Sequence, residues 1–561
     1  MTDASVIIAG GGPVGLTLAL ELNHHGVDCI LLERNPTTTR HPKMDITNGR
    51  SMELFRRLGV ADLLRAQAVP PDNPYSVIWC DRLSGWKLAT FDYPSVNDKR
   101  AQLRADNDGK SALEPGMRVS QILLEPVLKK RLEDDCDHVT VMFGWALEGF
   151  EQDDDGVSVQ IKSTTSGETK TLRADYLAGC DGAGSVARKG LGIPLSTISQ
   201  PGPNTIHSDE PIEVDGSDPA QIRRLYMIHF TSPEIERINK FGPAWHLQSP
   251  LGWSLIAQDD VNTWTIHVPV RPGDDPSTWD PKQVLFEALG CEIECEINVA
   301  NPWTPRLCLA ERYGEGRVWL AGDSTHQVIP TGGYGMNTGI GDATALGWVL
   351  AAQINGWGGP RLFEAYDVER RHVGERNRHA SFRHANLRMR IRADYSETIH
   401  EDSDRGADAR AKHGAHIQDL GNLENEAWGI EWGYRYETSP VICYDESPAP
   451  DYAWQDYDPS SYPGGRPPNV FLDDGAPLFD HFGREFTLVS FNGTASDSLA
   501  SAAQDAGLPL KVLAVDHPVA KDLYDRNLVL IRPDQHVAWR GNRAPDSGAA
   551  KTIIDTVRGA L

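Results

Sequence analysis

Three glycines and an acid carry the first chemical signal in this sequence. Gly10, Gly12 and Gly15 stand at the spacing G-x-G-x-x-G, directly after the apolar, β-branched run at 5–9 and directly before the helix-like run at 16–22. Bare backbone at such a turn lets a pyrophosphate reach the N–H groups of a helix N-terminus. Gly10 permits the tight turn, Gly12 admits the phosphate, and Gly15 lets helix and strand pack closely. A second apolar run, 29–32, ends in Glu33, near the offset of about twenty residues at which an acid hydrogen-bonds an adenosine ribose. The pattern predicts a dinucleotide-binding strand–turn–helix–strand unit and does not by itself separate FAD from NAD.

Two later turns have the same character. Residues 176–184 run from a short apolar strand into an Asp181-Gly182 turn, and residues 317–323 run from another apolar strand into Gly322-Asp323. Pro330-Thr331-Gly332-Gly333-Tyr334-Gly335-Met336-Asn337 follows, a glycine-rich stretch before a helix that suits backbone packed against a flat ligand. These three motifs, in this order and over this span, resemble those of the class A flavoprotein aromatic hydroxylases, the group containing para-hydroxybenzoate hydroxylase and phenol hydroxylase. The resemblance covers about residues 1–395.

What the resemblance implies is specific. Gly10, Gly12, Gly15, Glu33 and Arg34 bind the cofactor, Asp181 and Gly182 serve both FAD and the nicotinamide cofactor, and Asp323, after Gly322, bonds the flavin ribityl chain. Pro330, Gly335, Met336 and Asn337 complete the cofactor-binding set. Arg50 resembles the family arginine near the FAD phosphates, and Arg118 with Gln121 resembles a second FAD-contacting pair. Asp45 sits five residues before Arg50, where phenol hydroxylase has an active-site aspartate; a carboxylate there would accept a phenol's proton and enrich the ring in electrons. Two departures stand out: Ser324 and Thr325 replace two alanines, and Ile329-Pro330 replaces a proline pair.

No second G-x-G-x-x-G flanked by strand and helix occurs after residue 15. The resemblance therefore implies NAD(P)H that binds transiently across the FAD face and delivers hydride to the flavin. Dioxygen then adds to form a C4a-hydroperoxyflavin, which hydroxylates a phenolic ring ortho or para to its hydroxyl.

The elements that must position these groups follow from periodicity. A Rossmann-like α/β FAD-binding domain is expected from about 1–75, 110–190 and 300–395. Interleaved with it, about 76–109 and 191–299, short aromatic-faced runs at 225–230, 244–247, 253–256 and 264–268 predict an antiparallel substrate sheet. Tyr226, His229, Trp253 and His267 are its pocket candidates, with Tyr226 and His229 placed beside Asp45 as catalytic. The arginine- and histidine-rich stretch 370–392 reads as a solvated helix face. Residues 396–465, polar and rich in Asp, Tyr and Pro, read as a covering linker. Residues 466–561 alternate strands and helices, and 532–541 resembles the end of the thioredoxin-like domain of phenol and chlorophenol hydroxylases. No cysteine follows Cys443, so this unit has no thiol–disulfide chemistry.

Composition narrows the partners. A formal charge of −25 disfavours nucleic acid. No window of about twenty apolar residues suggests a membrane span, and no signal-peptide pattern opens the chain. The eight scattered cysteines fit a reducing cytoplasm and no metal site. The expected partners are a small phenolic substrate and dioxygen, with a homodimer suggested by the family. A halogenase or epoxidase on the same scaffold is the nearest competitor, although no Trp-x-Trp-x-x-Pro run of the halogenase kind occurs. A flavin-binding module without turnover is the alternative of a different class.

Overall fold

The computed structural model describes residues 2–200, 211 and 224–561. Its first sheet is built around strand Ala4–Ala9, which pairs in parallel with Cys29–Glu33 on one side and Thr169–Gly179 on the other. Val318–Leu320 adds in parallel to Thr169–Gly179, and Val139–Phe143 to Cys29–Glu33. Val6, Ile7, Ile8, Leu177, Val318 and Leu320 are all fully buried, the near-continuous apolar runs that strands covered on both faces require.

Register does the work of assembling the motifs. Ala9 lies opposite both Leu32 and Gly179, and Gly179 lies opposite Leu320. The turns that begin at Gly10, Cys180 and Ala321, together with Glu33, therefore leave the sheet side by side at its carboxyl edge. That edge is where open parallel sheets bind ligands. Helix Pro13–His24 follows the first turn and packs against helix Tyr334–Ile354, which follows the glycine-rich stretch.

The second sheet has seven strands, ordered Glu296–Trp303, Arg224–Thr231, Thr263–Val270, Ser254–Ala257, His246–Gln248, Val77–Cys80 and Lys87–Phe91. Four of them coincide with the aromatic-faced runs. The sheet is antiparallel except where His246–Gln248 meets Val77–Cys80 in parallel. Residues 201–210 and 212–223 of the expected substrate region lie outside the described residues.

Two expectations are corrected. The 396–465 segment is no plain linker: it contains the long helix Asp404–Asn425, which lies on Lys87–Phe91 and on helix Arg361–Ala393. Its glycines hid it. A Cβ at Gly414 would stand 2.5 Å from the Leu88 carbonyl oxygen, and one at Gly421 would stand 2.8 Å from the Phe91 ring, so glycine is what lets this helix approach the sheet. The arginine-rich face of Arg361–Ala393 is not solvated either, since Arg370, Arg378 and His384 are buried. Arg370 is paired to Asp342 at 2.8 Å, and Arg376 donates to the Gly429 carbonyl.

The chain ends in a four-stranded sheet ordered Leu510–Val515, Phe486–Phe491, Leu528–Ile531 and Val537–Gly541, with helices Asp497–Asp505, Pro518–Tyr524 and Ser547–Val557.

Candidate active site

The glycines of the first turn have three different surroundings. Gly10 has φ +109°, and a Cβ there would lie 2.2 Å from the Cys180 carbonyl oxygen. At Gly15 a Cβ would lie 1.9 Å from the Gly10 carbonyl oxygen, so this glycine lets helix meet strand. At Gly12, Gly182 and Gly184 a Cβ meets nothing within 4 Å. These last three border open space at the carboxyl edge of the sheet, a cleft whose rim is backbone. Val14 ties the first and third motifs together: it fills the room left by Gly322 and Gly339, where added Cβ atoms would come within 2.9 and 2.5 Å of it.

Charge is distributed around the same cleft. The Gly11 N–H donates to Glu33 Oε2 at 2.8 Å, while Arg34 is exposed beyond it. Asp323 is open to the cleft yet surrounded by protein, and this burial raises its carboxyl above the usual range against the opposing pull of His326 and Lys43. Lys43 was not singled out in the sequence, although it stands two residues before Asp45; its charge acts on both Asp323 and Glu125. Asn337 fixes the mouth of the Tyr334–Ile354 helix by donating to the Gly333 and Ile46 carbonyls and accepting from the Asn48 N–H. Met336 packs on the core behind it, and a Cβ at Gly335 would stand 3.5 Å from Val328.

Four residues expected at the cofactor are employed elsewhere. Arg50 is buried and turned towards the C-terminal unit, donating to Glu53, to Gln535 at 3.0 Å and to the Asp534 carbonyl at 2.7 Å. Arg118 is buried between Tyr75 and Trp245 and paired to Asp260, with a further bond to the Ala257 carbonyl at 2.9 Å. Gln121 donates to Glu125 at 2.6 Å. Asp181 Oδ2 accepts from the Val186 and Ala187 N–H groups and caps the helix Val186–Gly190. Arg50 and Arg118 are satisfied by distant segments that no local pattern reveals, whereas Gln121 and Asp181 bond groups four to six residues further along the chain.

Beside the cleft lies a cavity of about 610 Å³, within the range of small-molecule sites. Its wall includes Asp45, Ile46, Asn48 and Gly49 on one side and the Pro330–Gly333 turn on another. Tyr75, Trp245, Trp428 and Trp432 offer aromatic surface; Trp428 and Trp432 are stacked with centroids 4.9 Å apart.

A chain of polar side chains runs along this wall. Trp245 Nε1 donates to Asp45 Oδ2 at 2.5 Å, and His246 Nε2 stands 3.7 Å from the same oxygen. His246 Nδ1 is 3.2 Å from Gln248 Nε2, Ser254 donates to Gln248 Oε1 at 2.6 Å, and Arg388 reaches Ser254 at 3.1 Å while gripping Glu424 with two bonds. Burial works to raise the Asp45 carboxyl, but His246, Trp245 and Arg118 outweigh it and hold it below the ordinary range. Asp45 is therefore an anion at neutral pH. His267, on the same wall, is pushed down to about 4 by burial and is neutral.

Of the pocket candidates on the substrate sheet, only His267 lines the cavity. Leu225 faces it, so its neighbour Tyr226 faces the other side and packs edge-on against Trp279 in the sheet's own core. His229 lies four residues beyond Leu225, roughly 13 Å along the strand, and bonds Thr265 at 3.0 Å. Trp253 is likewise core. Trp245, His246 and Gln248 were legible as a strand and not as a site.

A cleft rimmed by glycine and an adjoining aromatic cavity define a nucleotide-cofactor enzyme of the flavoprotein type. Residues 3–381 match the family described as "FAD binding domain", and residues 460–560 match "Aromatic-ring hydroxylase, C-terminal". The chain belongs to the class A FAD-dependent aromatic hydroxylases. It is 36% identical to the FAD-dependent monooxygenase apdD of Emericella nidulans, over 100% of this chain and 91% of that one. It is 30% identical to a 4-methyl-5-nitrocatechol 5-monooxygenase of Burkholderia sp., over 100% of this chain and 98% of that one. The rebeccamycin biosynthetic enzyme RebC, solved with reduced flavin, superposes with a TM-score of 0.85 at 32% identity, covering 100% of this chain and 99% of that one. FAD is the cofactor and monooxygenation the class of reaction. Among the described residues no helix is long and apolar enough to cross a membrane.

Proposed function

We propose that this protein is a NAD(P)H-dependent monooxygenase that hydroxylates a phenolic ring ortho or para to an existing hydroxyl. The observation that carries the reading is the Asp45 carboxylate, ionised and set in the wall of an aromatic cavity next to the Pro330–Gly333 turn. The bare backbone at Gly12, Gly182 and Gly184, with Glu33 beside it, fits the phosphates and ribose of FAD, and Asp323 fits its sugar-like chain. Once bound and reduced, FAD supplies the oxygen-transfer chemistry.

The chain's own residues supply the rest. The aromatic walls hold a flat ring and keep water from the reacting carbon. Asp45 Oδ2 accepts a hydrogen bond from the phenol, which enriches the ring in electrons, and takes the proton only as attack at the ring carbon makes the hydroxyl strongly acidic. Trp245 fixes the Asp45 rotamer by a direct bond. His246, held through Nδ1 by Gln248, aims Nε2 at the same oxygen and steadies its charge. The NAD(P)H reading is supported by the sequence, which carries one dinucleotide fingerprint only.

The test is a panel of phenols, from single rings to fused rings, scored for stimulated NADH and NADPH oxidation and for a product heavier by one oxygen. Coupled hydroxylation is expected, and Asp45→Asn should lower kcat by about 10²- to 10⁴-fold with FAD still bound. Nicotinamide oxidation that yields only hydrogen peroxide for every phenol would sink the reading.

A further inference from the structure

The cavity's carboxyl groups are not alike. Asp45 is matched by Trp245 and His246, Glu114 by Arg56, Arg65 and Arg100, and Glu424 by Arg388. Glu426 and Glu431 line the same cavity with no carboxyl partner among the described residues; of the two, Glu431, on the short helix Trp428–Glu431, stands beside the stacked rings of Trp428 and Trp432.

The cations around Glu431 are already committed. Arg50 serves Glu53 and the Asp534 carbonyl, Arg370 serves Asp342 and the Thr338 carbonyl, Arg376 serves the Gly429 carbonyl, and Arg388 serves Glu424. Lys99, also on the cavity wall, bonds Gln102 at 3.2 Å, Tyr334 is bonded to His384, and Tyr434, Glu424 and Glu426 also border the hollows that Glu431 lines. None of these offers it a counter-charge. Burial alone pushes Glu431 up to about 8, so at neutral pH it is a carboxylic acid with an O–H to donate. The residue itself is half-buried and its carboxyl opens into the cavity, where a ligand's oxygen could bond it. Here the group is beside stacked Trp428 and Trp432, a flat surface suited to a ring system.

We propose that Glu431 is a specificity-determining residue whose carboxylic acid donates a hydrogen bond to a carbonyl oxygen on the aromatic substrate, so that the site prefers a multi-ring hydroxyketone or quinone to a simple phenol. The inference rests on the reading of this cavity as the aromatic-substrate site. Two walls built by different elements then hold two oxygens of one ligand: Asp45 the phenol, Glu431 the ketone.

The test uses the FAD-loaded enzyme and a matched pair of probes that differ in the carbonyl, 7-hydroxy-1-tetralone, whose two oxygens are too far apart to bond each other, and 5,6,7,8-tetrahydro-2-naphthol. Binding is read from the perturbed flavin spectrum between pH 6.5 and 9. In the wild type the ketone should bind more tightly at low pH and lose affinity through about pH 8, while the carbonyl-free phenol does not. Glu431→Gln, which keeps an N–H donor, should bind the ketone at pH 7 nearly as well and with no such pH dependence. Glu431→Leu should weaken the ketone about 10-fold at pH 7 and leave the other probe unchanged. Equal effects on both probes, a pH dependence that survives in Glu431→Gln, or a loss of FAD in place of a loss of ketone would overturn the proposal. A catalyst that still hydroxylates phenols in that case fails only this inference, whereas one that hydroxylates none fails the functional reading beneath it.

Discussion

The FAD cleft and the seam on which the C-terminal unit docks are both made of groups that must not be left exposed, yet they are made in opposite ways. The cleft is backbone: its rim at Gly12, Gly182 and Gly184 carries no side chain, and its strands are held by register. The seam is charge. Arg532 bonds Glu369 at 2.6 and 2.7 Å and Asp534 at 2.6 Å, with its guanidinium over Trp348 and Tyr436. Arg466 is buried against Glu53, and Arg50 reaches across to Gln535 and Asp534. A ligand site made of backbone fails by being filled, whereas a junction made of ion pairs fails by being half emptied.

The comparison is sharpest at Gly12. Its φ of −77° is open to any residue, so a larger side chain there costs the fold little and the cofactor everything. Gly12→Val should purify without flavin colour and fail to take up FAD, while its unfolding free energy stays within about 0.5 kcal/mol of the wild-type apoprotein. A yellow Gly12→Val protein would show that the phosphates do not pass this turn.

The seam should behave the other way. Arg532→Met leaves Glu369 and Asp534 buried without their cation, a loss of about 3–5 kcal/mol on removing one partner of a buried pair, visible in urea unfolding, with flavin retained in the folded fraction. Acid should loosen the same seam. Burial would raise the Asp534 carboxyl, but Arg532 and His536 hold it well below the usual range. Its stabilisation is therefore present above the unfolded pKa of about 3.9 and lost as pH falls below it. His536 is pushed down to about 4 by burial, so it contributes a further loss as pH falls from about 6.5. A flat stability between pH 7 and 4 would break this account.

The same contrast explains what the sequence shows of the molecule. Strand, turn, helix and acid at 5–33 are local signals, and register carries them into space without further information. The place of Asp45 on the cavity wall could be anticipated because its offset from Arg50 is local too. The partners of Arg50 and Arg118, Gln535 and Asp260, were not legible because tertiary packing chooses them, while Gln121 and Asp181 bond locally, to Glu125 one helical turn on and to the N-terminus of the helix that follows. Tyr226 and His229 lie off the cavity for two reasons: Tyr226 is on the face opposite Leu225, and His229 shares Leu225's face but lies too far along it, and alternation alone says neither which face meets a cavity nor how far the cavity extends. Glu431 offered no signal, sitting in a segment whose composition read as linker.

The smallest effect lies at the seam's wet edge. Arg56 bonds Asp480 at 2.6 Å across the same junction as Arg532, but the two side chains are 34% and 35% exposed and Arg56 keeps Glu114 as a second partner. Water already solvates much of both charges, and the long arginine must be ordered to hold the pair. Asp480→Asn should therefore cost less than about 1 kcal/mol, and that cost should shrink further in 0.5 M salt, with a Debye length of about 4–5 Å. If it instead cost as much as Arg532→Met, the seam would owe its strength to the number of its ion pairs and not to their burial.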